Sequence, residues 1–315
     1  MGMLCCRGGR TLGRHEEKNE LNIDDGVCAY LTGGLGNQLF VLAAAWEQAE
    51  RLSCPLYIDA SKYVGGDLRS FELGSLSLPG EVISHESPWL DRGGRLRRSF
   101  PKLKKTRRVY REESFGYSSA INKIVPGTTI FGYFQSPRYF DHVADRMADL
   151  LMNSQVTATE QKIMSSLHNS GRITLHVRRG DYTTANTAAV HGITSSAYFE
   201  RGINLIRKLS SVEQSMVFSD EPDVARSELK HLPNIKVFDQ NSELSSLNTI
   251  KAMSRGSGMI MSNSSFSWWA AWLMARRGLH PIVAPRPWMA SGESASDLLG
   301  ADWLTLDARG ASWHG

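Results

Sequence analysis

Two adjacent arginines, Arg178 and Arg179, follow an apolar, β-branched run and lead into Gly180 and Asp181 in the string HVRRGDY. Guanidinium forks bind oxygens two at a time and stay charged, so the pair suits a pyrophosphate; the other reading is an Arg–Asp ion pair inside a loop. Strand alternation puts Ile173, Leu175 and Val177 on one face and Thr174, His176 and Arg178 on the other. His176 and Arg178 can then act together at a strand's carboxyl end. A second string, Ser262-Asn263-Ser264-Ser265-Phe266-Ser267-Trp268-Trp269, runs from a strand end into a helix whose hydroxyls and amides are ready for an anion. Trp268, Trp269 and Trp272 read as packing rather than as a stacking platform. A third, Gly33-Gly34-Leu35-Gly36-Asn37-Gln38, opens a helix with Leu39, Phe40, Leu42, Ala43 and Trp46 as its apolar residues. Glycines let backbone amides approach a ligand, and as a dinucleotide fingerprint the string lacks its third glycine. Asp59 stands about where a ribose-binding acid would sit, and a plain strand-to-helix turn is the alternative. Phe218-Ser219-Asp220-Glu221 closes a further strand, but the Asp220–Asp223 spacing is wrong for a metal-binding DxD, and no cluster of metal-ligand spacing occurs elsewhere.

The elements that must position these residues alternate short β-branched runs with longer amphipathic segments, the pattern of an α/β architecture with parallel strands. In the second half, strands are predicted to end near Val177, Ser219, Phe238, Ser262 and Ala284. Helical patterns lie between them at 196–209, 222–230, 244–254 and 265–277. Five strands with crossover helices make a doubly wound sheet, with ligands at the carboxyl ends. The first half predicts strands at 27–31, 56–58, 81–83 and 128–132 and helices at 37–52, 138–152 and 157–168. A turn at His168–Gly171 marks the expected boundary, giving a flexible tail at 1–26, an N-terminal α/β domain at 27–168 and a C-terminal α/β domain at 169–315. Two such domains imply a cleft between their strands' carboxyl ends.

At 315 residues with 41% hydrophobic and 22% charged residues, composition is that of a folded globular chain. No apolar run is long enough to cross a membrane. The net charge of +4 has one source: the stretch Arg92–Arg111 holds ten basic residues and no acid, and the rest of the chain is net acidic. That stretch reads either as a solvated loop or helix face, or as contact with an anionic membrane, an acidic acceptor or a polyphosphate; nucleic acid is not among the expected partners. Cys5, Cys6, Cys28 and Cys54 fit neither a zinc site nor a redox pair, which points to a reducing, cytoplasmic compartment. The first twenty residues lack a secretory core. Gly2 with Cys5 and Cys6 suggests acylation, but residue 6 is Cys where the pattern wants Ser or Thr.

Taken in order, GGLGNQ, Gly132-Tyr133-Phe134-Gln135-Ser136, HVRRGDY, the run from His191 to Ser195 leading into Tyr198-Phe199, NSSFSWW and Pro285-Arg286-Pro287-Trp288 resemble the α-1,2-fucosyltransferase family of inverting glycosyltransferases (family 11). The resemblance implies a GT-B architecture, two Rossmann-like domains facing a cleft, with GDP-fucose as donor substrate and no metal or other cofactor. It assigns His176, Arg178 and Arg179 to nucleotide and phosphate contact, Asn263, Ser264, Ser265 and Phe266 to the β-phosphate at a helix start, and Asp220 to the neighbourhood of the nucleotide. Gly33, Gly34, Gly36, Asn37 and Gln38 would line the cleft from the other side. The expected reaction is displacement at the fucosyl anomeric carbon by the 2-hydroxyl of a galactose-type acceptor in a glycan or glycolipid precursor. Arg178 would neutralise the leaving diphosphate, with Asp181 or His191 as base.

Two departures from the family pattern stand out. Thr249, with Asn248 beside it, stands where relatives carry an Asp that can accept from guanine, and Arg92–Arg111 lies in the acceptor-side half, where it could meet an anionic or lipid-linked acceptor at a membrane surface. The competing readings are a same-fold transferase with another nucleotide sugar, a catalytically silent glycan- or membrane-binding relative, and a nicotinamide dehydrogenase.

Overall fold

Residues 23–64, 69–84, 108–168, 171–180, 192–238, 244–290 and 297–309 are described by a computed structural model. The first four strands are β1 (Val27–Tyr30), β2 (Leu56–Asp59), β3 (Glu81–Ile83) and β4 (Arg108–Arg111). With β5 (Thr128–Phe131) they form an all-parallel sheet in the order β3-β2-β1-β5-β4. Helix α1 (Leu35–Leu52) lies on this sheet and is buried over most of its length. A helix covered all round needs apolar residues on every side, which the run Leu39-Phe-Val-Leu-Ala-Ala-Ala-Trp46 supplies. Helices α2 (Ala144–Met152) and α3 (Ala158–His168) follow β5.

The second sheet uses β6 (Ile173–Val177), β7 (Ser215–Ser219), β8 (Ile235–Val237), β9 (Gly258–Ile260), β10 (Ile282–Arg286) and β11 (Leu304–Asp307). Its order, β11-β10-β9-β6-β7-β8, winds outward from β6 in both directions, all parallel. The crossover helices are α4 (Ser196–Leu209), α5 (Pro222–Leu229), α6 (Ser246–Met253) and α7 (Ser265–Arg276). In such a sheet the loops after the strands diverge where the winding reverses, between β6 and β9, and leave a crevice there. The corresponding reversal in the first sheet lies between β1 and β5. The two-sheet α/β arrangement expected of a GT-B protein is thus present.

Three sequence expectations are corrected. The end of the basic stretch is neither a loop nor a helix face: Arg108–Arg111 is the edge strand of the first sheet, where charged residues are tolerated on the open side. The rest of that stretch lies outside the described residues. The second sheet has six strands rather than five, because Leu304–Asp307 adds to β10. Within the segment expected as tail, Ile23–Asp25 forms a 3₁₀ turn, fixed where the Tyr57 hydroxyl donates to Asp25 at 3.0 Å.

One hydrophobic core runs through both halves. Its centre is aromatic: Phe40 of α1 lies 4.6 Å from Trp268 and 4.9 Å from Trp269 of α7, and Phe140 stacks on Trp269 at 5.4 Å. Trp268, Trp269 and Trp272 are all buried, as packing residues should be. The Trp269 indole Nε1–H donates to the Gly36 carbonyl at 2.9 Å, and the Trp268 indole to the Leu298 carbonyl at 2.7 Å. Large interlocked rings resist sliding because any shift opens voids. The relative placement of α1 and α7 is therefore stiff.

Candidate functional site

The starts of α1 and α7 meet. A methyl group on Gly36 would lie 2.5 Å from the Ser265 carbonyl carbon and 2.6 Å from the Phe266 nitrogen, so only glycine allows the two helices to approach this closely. At Gly36, where either a ligand's approach or a plain strand-to-helix turn is expected, the neighbour is protein. Gly33 has φ +77 and makes the turn after β1, whereas a methyl on Gly34 would meet only Arg69, at 3.8 Å. Asn37 accepts from Gln135 Nε2 at 2.9 Å, joining the two loops at the first sheet's reversal point. Gln38 is fully buried and donates to the carbonyls of Gly33 and Ser70, at 3.0 and 2.8 Å. Gly33, Gly36, Asn37 and Gln38 thus join β1, α1, the start of α7 and the Gln135 loop.

The positive end of α1 is already answered from within. Glu72, which the sequence reading missed, accepts the Leu35 N–H at 2.9 Å, while its own N–H donates to Gln38 Oε1 at 3.0 Å. Nothing in the local pattern marks Glu72, because its partner is 37 residues away. Helix α7 differs: Ser264 caps it by accepting the Phe266 N–H at 3.3 Å, and its first turn contains no acidic residue. Of the two facing helix starts, this one retains its attraction for an external anion.

Beside α7, at the reversal point of the second sheet, stand the last residues of β6 and those that follow it. His176 is buried and hydrogen-bonded, Nδ1 to Ser262 Oγ at 2.9 Å, with its ring centroid 5.3 Å from that of Phe266. Burial, with the charges of Arg178 and Arg179 adding to it, lowers its pKa to about 3. It is a neutral imidazole at physiological pH, fitted to hold Ser262 and the start of α7 rather than to carry charge.

The two arginines have different surroundings. Arg178 pairs with Asp220, Nη1 to Oδ2 at 2.9 Å, and keeps 18% of its side-chain surface accessible. Arg179 is buried: its Nε donates to Glu228 Oε1 and Oε2, both at 3.0 Å, and Nη2 to Oε2 at 2.6 Å. Nη1 and Nη2 also donate to the carbonyls of Arg178 and Thr194, at 2.8 and 2.9 Å. The expected pyrophosphate pair is corrected to one arginine at the site and one that ties its loop to α5. Asp220 is likewise a buttress, with Oδ1 accepting the Arg179 N–H at 2.8 Å while Oδ2 holds Arg178. A methyl on Gly180 would fall 2.3 Å from Asp220 Oδ2, so the carboxylate would have to turn from its place against Arg178.

Other expected residues take supporting positions. The Asn263 amide donates to the Gly192 and Trp288 carbonyls, at 3.3 and 3.1 Å, and so ties together three loops at the sheet's ligand edge. Ser265 and Phe266 are half-buried at the α7 start. Ser195 caps α4, and the buried Tyr198 hydroxyl donates to the Met261 carbonyl at 2.7 Å. Thr249 is buried, its hydroxyl donating to the Ser245 carbonyl one turn earlier at 2.9 Å. Asp59, the would-be ribose acid, is fully buried and accepts the Ser61 N–H at 3.0 Å. Asp181 and His191 lie outside the described residues, as do Cys5 and Cys6. A cavity of about 670 Å³ is lined by Glu47, Arg51, Tyr117 and Arg138 among others, near the far end of α1, and shares no residue with this site. Among the described residues, no group of three acidic, His or Cys side chains is placed to hold a metal ion, and no helix is long and apolar enough to cross a membrane.

The arrangement presents a helix start with no first-turn acid, one partly accessible arginine on a carboxylate buttress and a neutral imidazole at a sheet's reversal point. Such a group has the charge and donors to bind and stabilise an anion such as a diphosphate. The model of glycosyl transferase family 11 matches residues 120–306. An alpha-1,2-colitosyltransferase of Escherichia coli is 26% identical over 292 residues, covering 89% of this chain and 99% of the relative. The O-antigen biosynthesis glycosyltransferase WbnK, also of Escherichia coli, is 28% identical over 303 residues, covering 88% and 99%. Among solved structures, fucosyltransferase NodZ from Bradyrhizobium aligns at 18% identity with a TM-score of 0.44, covering 79% of this chain and 91% of that one. Arabidopsis thaliana FUT1 in complex with GDP aligns at 14% identity with a TM-score of 0.46, covering 84% and 71%.

Proposed function

The chain belongs to glycosyl transferase family 11, and on that premise we propose that it moves L-fucose from GDP-β-L-fucose to the 2-hydroxyl of a galactose-type acceptor in a glycan or glycolipid precursor. The observation that carries the reading is the α7 start, free of first-turn acid and flanked by Arg178 and the neutral His176. That group matches what a departing diphosphate needs. The α-1,2 linkage is supported by the run of family strings in the sequence and by the linkage in the name of the Escherichia coli colitosyltransferase.

In the proposed reaction the bond from the fucosyl anomeric carbon to the diphosphate oxygen breaks, and the acceptor oxygen bonds to that carbon from the opposite face. The configuration inverts from β to α. The diphosphate leaves with the bonding electron pair, and its charge is met by Arg178 and the α7 amides, without a metal ion. The acceptor's proton passes to a base, for which Asp181 and His191 are the candidates.

The test is GDP release from GDP-fucose by the purified chain with lactose or N-acetyllactosamine, in EDTA, with the product linkage read by NMR. Acceptor-dependent release giving an α-1,2 product is expected. Abolition of release by EDTA would remove the metal-free part, and a different linkage would remove the regiochemistry. Colitosyl transfer is the second reading, favoured by the name of the same relative. A preference for a colitosyl over a fucosyl donor would establish it. Tight GDP binding without turnover on any acceptor would favour a silent binding protein.

A further inference from the structure

The loop Gly132–Ser136, after β5, belongs to the first sheet's reversal point and is held more tightly than a surface connection requires. Glu112, just past β4, accepts the Tyr133 N–H on Oε2 at 2.7 Å and the Phe134 N–H on both oxygens, at 3.0 and 3.1 Å. A methyl on Gly132 would lie 2.5 Å from the Glu112 Cβ, so the strand end and the loop are in direct contact. Phe134 is fully buried with φ +51, a conformation that residues other than glycine rarely adopt. Gln135 donates to Asn37 at 2.9 Å, and the Ser136 hydroxyl donates to the Asp297 carbonyl at 3.0 Å. Four successive residues are thus anchored, to three different parts of the chain.

What the anchoring presents is Tyr133. Its neighbour Phe134 is swallowed by the core, whereas Tyr133 is 46% exposed, one of few large apolar side chains among the described residues to be so. Unusual backbone held by surrounding structure concentrates at functional sites. An exposed ring on a fixed backbone loses little entropy when it is covered. The loop is joined through Asn37 to the α1 start, which itself abuts the α7 start.

We propose that Tyr133 is the platform on which the acceptor saccharide stacks, with the C–H face of the sugar ring against the phenol ring. The inference rests on the transferase reading above and adds an acceptor-recognising residue to it. Glu112 is then a positioning residue, fixing the direction of the ring through the two backbone N–H groups it accepts.

The test is binding of methyl β-galactoside and N-acetyllactosamine to the full chain in the presence of GDP, followed by saturation-transfer NMR. Wild type, Tyr133→Phe and Tyr133→Ala are compared, and GDP affinity and thermal midpoint are measured for each. The expected result is saccharide binding by wild type and Tyr133→Phe, weakened about ten-fold in Tyr133→Ala, with GDP affinity and midpoint unchanged. Equal saccharide binding by Tyr133→Ala would overturn the proposal, and so would a wild type that binds neither saccharide. If GDP failed to bind while saccharide binding still depended on Tyr133, the donor reading would fall and the platform would stand.

Discussion

Gly36→Ala places one methyl group where the start of α7 already is. Its carbon would lie 2.5 Å from the Ser265 carbonyl carbon and 2.6 Å from the Phe266 nitrogen, about 1 Å short of ordinary contact, which begins near 3.4 Å. Both neighbours are backbone, so no side chain can swing away; one helix must move. In an isolated helix the same change would stabilise by about 1 kcal/mol, because alanine is the better helix former. Here overpacking of about 1–3 kcal/mol opposes that gain, and the Trp269 bond to the Gly36 carbonyl is pulled out of line as well. The net expectation is a melting temperature lower by a few degrees. The larger effect falls on turnover. A displacement of this size at residues that position a reacting group costs about a hundred-fold, so kcat for glycosyl transfer should fall by one to two orders of magnitude. Gly34→Ala is the matched control: its methyl meets only Arg69, at 3.8 Å, and exchanging glycine for alanine at the helix N-cap costs about 0.5–1 kcal/mol. Thermal melts and steady-state kinetics on the two variants decide the matter. A Gly36→Ala protein that melts no lower than wild type and turns over at its rate would refute the reasoning.

Arg178→Ala should cut kcat at least a hundred-fold, with Arg178→Lys intermediate because an ammonium cannot reproduce the fork; kinetics at saturating donor measure it. Arg179→Ala should instead unfold more easily by about 2–3 kcal/mol in urea, because Glu228 and two carbonyls lose their partner. A stability change confined to Arg178→Ala would reverse the two assignments. Glu160 is held at a pKa of about 2: burial pushes the value up, but hydrogen bonds from Asn248, Thr157 and Ser245 outweigh it. Its contribution, on the order of 3 kcal/mol, is full above the ordinary carboxylate value of 4.5 and lost as pH falls toward 2. The stability gap between wild type and Glu160→Gln should therefore shrink across that window, and a constant gap would count against it. His176 should show no imidazole titration by NMR from pH 8 to 5; a midpoint near 6.5 would mean the ring is not buried as described.

The order of strands and helices was legible because periodicity is local. Alternation in Ile173–Val177 puts Ile173, Leu175 and Val177 into one core cluster and leaves Thr174 and His176 to bond Met253 and Ser262. The helix at 196–209 is marked by the Ser195 cap and its apolar spacing, and both are visible within a few residues. β4 was not legible, since four residues with two charged ends carry no strand signal until β5 offers a ladder. β11, whose Leu304–Asp307 alternates half-buried and exposed residues, needed β10 in the same way.

The chemistry-bearing strings were located by sequence, but the division of labour inside them was decided by tertiary structure. Arg178 and Arg179 are the same residue type one position apart. What separates them is a carboxylate on Asp220 and another on Glu228, 49 residues from Arg179. Glycine at 36 looked like room for a ligand, and only the placement of α7 shows that the room is filled by Ser265 and Phe266. The two helix starts look alike as sequences, yet Glu72 answers one of them from 37 residues away. Local sequence sets which conformations and charges are available. Partners distant in the chain, fixed only by packing, set which charge is spent inside the protein and which remains for a ligand.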